Sequence, residues 1–205
     1  MTNEQKKALF GSIRMHSELV YNMTKLEGNP YTYSEVKTLL DGITVGGRKL
    51  SDQEQVLRVS HAWEELRSQI AQNTFTLTKE NFIHFNQIVA ENEALMVGSF
   101  RTGQVYDDIF TQMLNDFHQL DLNTHDKAFW LFLQCARHQF FYDGNKRTAQ
   151  LMMNGFLLTN GLAVVSIPAR LKRSYDRKMT RFYDTNKMEP MMNFLRKLAA
   201  SGRYE

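Results

Sequence analysis

His138-Gln139-Phe140-Phe141-Tyr142-Asp143-Gly144-Asn145-Lys146-Arg147-Thr148-Ala149-Gln150 is the stretch on which the reading of this chain turns. It lies between two strongly apolar runs with helical spacing, at about 125–141 and about 145–160. A polar loop between two such helices is a tight turn in the interior of a fold, and its polar groups need partners there. Asp143, Asn145 and Arg147 side by side offer a metal ligand, an amide and a fork of donors. The second helix starts at the loop, so its N-terminal amides and its dipole point toward it. Gly144 lets a phosphate come close to the backbone. The pattern predicts an anion nest built without a Walker sequence. Taken alone, the same pentapeptide also fits a helix cap followed by a solvated Lys-Arg pair.

Toward the N-terminus, residues 3–24 carry Leu9, Ile13, His16, Leu19, Val20 and Met23 at spacings that share one helical face. Leu26-Glu27-Gly28-Asn29-Pro30 ends that pattern, because Gly permits positive φ and the residue before Pro is pushed away from helix. Thr32 with Glu35 forms a capping box and opens a helix that stops near Gly42. Gly46 and Gly47 mark a loop. A second box, Ser51 with Glu54, opens a long amphipathic helix to about Ala71, and Thr78 caps another to about Glu91. Residues 95–106 alternate and contain two glycines, which predicts a short β-hairpin. Further helices are expected at about 107–121, 169–184 and 188–200. The expected architecture is all-α, a helical bundle with one short hairpin, forming a single domain over 1–205.

Composition agrees with one compact unit. The chain has 205 residues, only three prolines and no Gly/Ser-rich linker. Its net charge of +3 is too small to demand a polyanion, so nucleic acid is not an expected partner. The single cysteine, Cys135, lies in an apolar stretch and reads as a buried free thiol, which favours a reducing compartment. Residues 1–10 have no apolar signal region, and no apolar run reaches the roughly 18 residues of a membrane span. A cytoplasmic protein without a membrane partner is the expectation, with self-association left open. The histidines make no i, i+4 pair that would suggest zinc, and there is no Gly-x-Ser-x-Gly elbow. Arg170, Arg173, Arg177 and Arg181 share a helical face opposite Leu171, Tyr175, Met179 and Phe182, which reads as a solvated amphipathic helix.

Phe141-x-Asp143-Gly144-Asn145-x-Arg147, followed by Thr148-Ala149 and Leu151-Met152-Met153-Asn154, resembles the signature of the Fic family. Gly98-Ser99-Phe100-Arg101-Thr102-Gly103-Gln104-Val105 resembles that family's flap, the hairpin that aligns a target segment beside the active site. Leu26-Glu27-Gly28-Asn29, with Thr32 and Ser34-Glu35-Val36 after it, resembles the N-terminal inhibitory helix of one class of these proteins. The three matches occur in the family's order over about residues 15–160. The resemblance implies transfer of AMP from ATP, with Mg²⁺, to a Tyr, Thr or Ser hydroxyl of a protein target. By position, Asp143 would hold Mg²⁺, and Gly144, Asn145 and Arg147 would cradle the phosphates. Lys146 and Gln150 occupy neighbouring slots of the same nucleotide site. Gly98, Phe100, Arg101 and Val105 would belong to the flap, and Glu27 would be the inhibitory acid.

The chain also departs from the family pattern. The slot of the family's catalytic His holds Gln139, and the nearest imidazole, His138, is one residue early. A Gln amide holds its protons near neutral pH and is no base. Either a one-residue bulge brings His138 round, or the loop lacks a base. The family's second Arg is replaced by Gln150, so Glu27 would meet an amide there instead of a guanidinium. Asn145-Lys146-Arg147-Thr148-Ala149 also resembles the Doc-like members, which phosphorylate a target. Three readings follow: an AMP transferase, a related phosphotransferase, and a catalytically silent module that binds nucleotide or protein.

Overall fold

The structure is a computed structural model that describes residues 1–94 and 96–201. The described residues contain ten α-helices: α1 (Asn3–Arg14), α2 (His16–Leu26), α3 (Tyr33–Leu40), α4 (Leu50–Gln72), α5 (Lys79–Ala90), α6 (Gln104–Gln119), α7 (Thr124–His138), α8 (Asn145–Thr159), α9 (Lys172–Thr185) and α10 (Glu189–Ala200). A 3₁₀ turn, Ala169–Leu171, precedes α9.

The centre is α8. Almost every residue from Arg147 to Leu158 is buried, and a helix buried on all sides can be satisfied only by neighbours all round. Those neighbours are α7, α5, α4 and α1. On the far side of α4 lies α2, while α10 packs on α7. α7 supplies Phe129, Leu131, Phe132, Leu133, Cys135 and Ala136 to the same core. Cys135 is a buried free thiol, as expected, and burial pushes its pKa up. α9 keeps Tyr175, Met179 and Phe182 inside and its arginine face in solvent.

Several predicted boundaries hold because their chemistry is local. Thr32 caps α3, with Glu35 closing the box, and Thr78 caps α5 by accepting from Asn81 N. The second predicted box does not form. α4 starts at Leu50, two residues earlier than a Ser51 cap would set, and Glu54 pairs with Arg58 at 3.4 Å instead. The predicted helix over 3–24 is two helices that meet at Met15 (φ −94°, ψ 7°). The break turns Ala8 and Ser12 inward, so Ile13, expected on the buried face, is half exposed.

The hairpin predicted over 95–106 is also absent, and the described residues contain no strand. Leu95 lies outside the described residues. A hairpin needs backbone donors that face a partner strand, and here they go elsewhere. Gly98 N donates to Asn86 Oδ1 (3.2 Å), Arg101 N to the Phe140 carbonyl (2.7 Å), and Thr102 N to the Tyr142 hydroxyl (3.3 Å). Phe100 is held by Phe110, Phe140 and Phe141 at ring distances of 5.0–5.2 Å. Val105, assigned to the flap by its sequence, sits in the first turn of α6 and is exposed.

Candidate active site

The loop between α7 and α8 is shaped by two left-handed residues. Gln139 ends α7 at φ 51°, and Gly144 precedes α8 at φ 74°. Between them Asn145 acts as an internal brace. Its Oδ1 accepts from Phe141 N, and its Nδ2 donates to the Phe141 carbonyl, both at 2.8 Å. Gly144 is required twice over. Besides its positive φ, a Cβ there would lie 2.9 Å from Asn86 Nδ2 and 3.0 Å from Ala90 Cβ. The close approach at Gly144 is therefore that of α5. Gly144 brings no capping side chain, so the first amides of α8 remain available to an anion.

A cavity of about 160 Å³ opens on this loop, lined by Glu27, Gln139, Tyr142, Asp143, Gly144, Asn145, Lys146 and Arg147. The Lys146 ammonium lies 3.2 Å from a Glu27 carboxylate oxygen, which reaches the loop from the end of α2. The acid predicted to face Gln150 therefore pairs with Lys146. Gln150 is buried beneath, outside the cavity lining, and its side-chain nitrogen has no partner among the described residues. Tyr183 is close enough to Glu27 to feel its charge: burial, reinforced by Glu27, pushes its phenol up to about 12.

Arg147 is 2% exposed and its donors are nearly all engaged. Nη1 donates to the Val89 carbonyl (2.5 Å) and to Glu93 (3.0 Å), and Nη2 to Glu93 (2.6 Å) and Asp143 (3.2 Å). Those bonds use every Nη hydrogen, leaving only Nε–H unpartnered. Glu93 also accepts from Gln55 and Arg58, each at 3.2 Å. Burial pushes its carboxyl up, but Arg147 and the other donors outweigh that and hold it below the usual value. Asp143 is half exposed, with its carboxylate at the cavity.

The two candidates for a base end up in different places. Gln139 lines the cavity, and its amide is turned back onto the Ala136 carbonyl and toward Asn145. His138 does not line it. Its ring packs 5.5 Å from that of Phe140, and burial, with Arg137 beside it, holds the imidazole below its usual pKa. Of the two alternatives, a bulge that brings His138 round or a loop without a base, the bulge is not formed, since α7 stays regular to His138 and reverses only at Gln139.

Three contributors escaped the sequence reading. Glu93 lies in a polar run beside Glu91, and nothing local marks it as the partner of an arginine 54 residues on. Asn86 sits on a helix face shared with ordinary core residues. Tyr142 is an unmarked slot of the loop; hydrogen bonds from Thr102 lower its phenol pKa.

Residues 76–157, which contain the cavity loop and the segment before α6, match the model of the Fic/DOC family. The chain is 23% identical over 172 residues to the protein adenylyltransferase Fic of Drosophila persimilis, covering 76% of this chain and 34% of that protein. The Drosophila melanogaster protein of the same name gives the same identity and covers 35% of its own length. The chain thus spans about a third of the curated relatives it matches. Among solved structures, Fic-1 (aa134 - 508) of C. elegans superposes with a TM-score of 0.83 at 18% identity, over 100% of this chain and 65% of that one. A Fic domain containing signaling protein of Bacteroides thetaiotaomicron VPI-5482 gives 0.81 at 21% identity, over 97% and 88%. The motif, the loop it builds and the shared helical frame agree: over residues 76–157 this chain matches the Fic/DOC family, and its fold is that of solved Fic structures.

Proposed function

We propose that this chain is a nucleotidyltransferase that moves AMP from ATP to a hydroxyl of a protein target. The observation that carries the reading is the uncapped start of α8, where free amides, the Lys146 ammonium and the Asp143 carboxylate converge on one small cavity. The likeness to proteins named protein adenylyltransferase Fic adds to it. A cavity of about 160 Å³ suits phosphates rather than a whole nucleotide, whose pockets run to about 300 Å³ or more. The base and ribose would lie outside, toward solvent. Mg²⁺ fits Asp143, because such a cation takes one or two protein carboxylates and fills its shell with phosphate and water oxygens. When bound, it would neutralise charge on the phosphates.

In the transfer, a Tyr, Thr or Ser hydroxyl of the target attacks the α-phosphorus. The bond to the β-phosphate oxygen breaks, and diphosphate leaves. Lys146 and the α8 amides offset the charge on the phosphate oxygens. Lys146 must first leave Glu27, so Glu27 competes with phosphate for the same ammonium. Arg147, held by Glu93, acts as the brace of the loop. His138 is the one imidazole in the stretch, and it would have to leave Phe140 to serve as base.

A second reading has its own support. With Gln139 in the cavity and His138 outside it, the site binds nucleotide without transferring it. Labelling of candidate proteins with α-labelled ATP separates the two. The transferase reading expects labelling by wild type that Asp143→Ala abolishes. Gln139→His is expected to raise it by about 10²-fold or more, the usual worth of a general base. No labelling from wild type or from Gln139→His, with ATP still bound, would favour the silent module.

A further inference from the structure

Asn86 is 1% exposed on α5 and touches two segments that the proposed chemistry needs together. Its Nδ2 donates to the Asp143 carbonyl at 2.8 Å and reaches Thr148 Oγ1 at 3.4 Å. Its Oδ1 accepts from Gly98 N at 3.2 Å. Only one orientation of the amide works: turned over, it would set NH₂ against an N–H and oxygen against a carbonyl. The fit is tight, since the same Nδ2 fills the space where a Cβ on Gly144 would stand. Other bonds join the segment 98–102 to the loop, Arg101 N to the Phe140 carbonyl at 2.7 Å among them, but they reach residues before Asp143. Thr102, which reaches Tyr142, is exposed.

We propose that Asn86 is a positioning residue, the buried joint through which the cavity loop sets the place of the segment 98–102. The proposal rests on the reading of that loop as a nucleotide site. Phosphate on the α8 amides fixes the loop, and the loop carries the Asp143 carbonyl. That carbonyl orients the Asn86 amide, which holds Gly98 in turn. Nucleotide bound on one side is thereby felt on the other, where a target chain would lie. A side chain there only to fill space would not transmit this, because its loss would loosen both segments without changing how one answers the other.

Hydrogen exchange on the full chain, with and without ATP and Mg²⁺, tests the joint. Without nucleotide, Asn86→Ala is expected to speed exchange at 98–102 and 143–148 together by about tenfold, the effect of losing one buried hydrogen bond. α10, which packs on α7 and α9, should be unchanged. With ATP, wild type should slow exchange in both segments, and Asn86→Ala only in 143–148. If Asn86→Ala fails to fold, Asn86→Asp keeps the acceptor for Gly98 and lacks the donor to Asp143. In that variant 98–102 should no longer answer to ATP. Faster exchange throughout the chain, faster exchange in one segment alone, or an unchanged ATP response at 98–102 would overturn the proposal. If ATP protects nothing in wild type, the nucleotide reading fails, and the ligand-free comparison still decides the joint.

Discussion

Arg147 and Glu93 illustrate why a buried charge is rarely a single-purpose residue. A guanidinium 2% exposed needs an acid, and Glu93 answers at 2.6 Å while also accepting from Gln55 and Arg58. Removing one partner of such a pair strands the other charge, which typically costs about 3–5 kcal/mol. Glu93→Ala is therefore expected to lower stability by about that much in urea unfolding. Glu93→Leu with Arg147→Met, which removes both charges, should recover most of the loss; a double variant as unstable as the single one would contradict this account. Gly144→Ala is expected to be destabilising by at least about 1–2 kcal/mol, the usual cost of the left-handed region for a residue with a Cβ. Its methyl group would also stand 2.9 Å from Asn86 Nδ2. Unaltered stability of that variant would show that the loop has room to turn. The sequence announces Gly144 and Arg147 through their motif, but not Glu93 or Asn86, whose partners at the α7–α8 loop lie more than 50 residues away.

At the scale of elements, features set by neighbouring residues were legible and those set by distant ones were not. Thr32 and Thr78 cap helices with donors three residues on, so their sequence spacing is their geometry. The segment 98–102 alternates like a strand, yet α5 and the α7–α8 loop claim its backbone donors. The break at Met15 was equally hidden. Just past it, His16 turns into a polar cluster on α4, with Nε2 2.9 Å from Ser60 Oγ and Nδ1 2.9 Å from Arg67 Nη2. Arg67 can only donate, so Nδ1 accepts and the proton sits on Nε2. Burial, then Arg67, lower the His16 pKa to about 4, against an opposing pull from Glu64. The folded pKa lies below the unfolded value of about 6.5, so the fold favours the neutral ring. That stabilisation is fully present above about pH 6.5 and is lost as pH falls toward about 4. Urea midpoints should fall through this window in wild type, and His16→Gln should flatten the fall. An identical pH dependence in both proteins would remove His16 from the account.

Over the whole molecule, the bundle is arranged around α8, whose buried sides fix where its N-terminal end must point. α2 brings Glu27 to that end, α5 brings Asn86, and residue 93 supplies the brace. No helix among the described residues is long and apolar enough to cross a membrane. The all-helical frame and the position of the loop could be read from periodicity and the motif. The division of labour between the two adjacent cations could not, because it depends on which acid each one meets. Lys146 meets Glu27 at the cavity, and Arg147 meets Glu93 beneath it. The central claim is that the α8 end is an anion site in which Glu27 and phosphate compete for Lys146. Calorimetric titration with ATP and Mg²⁺ of wild type, Glu27→Gln and Lys146→Ala tests it most directly. The account predicts tighter binding by Glu27→Gln and binding about tenfold weaker by Lys146→Ala, the worth of one charge-assisted contact. No binding by any of the three, or equal binding by all, would contradict it.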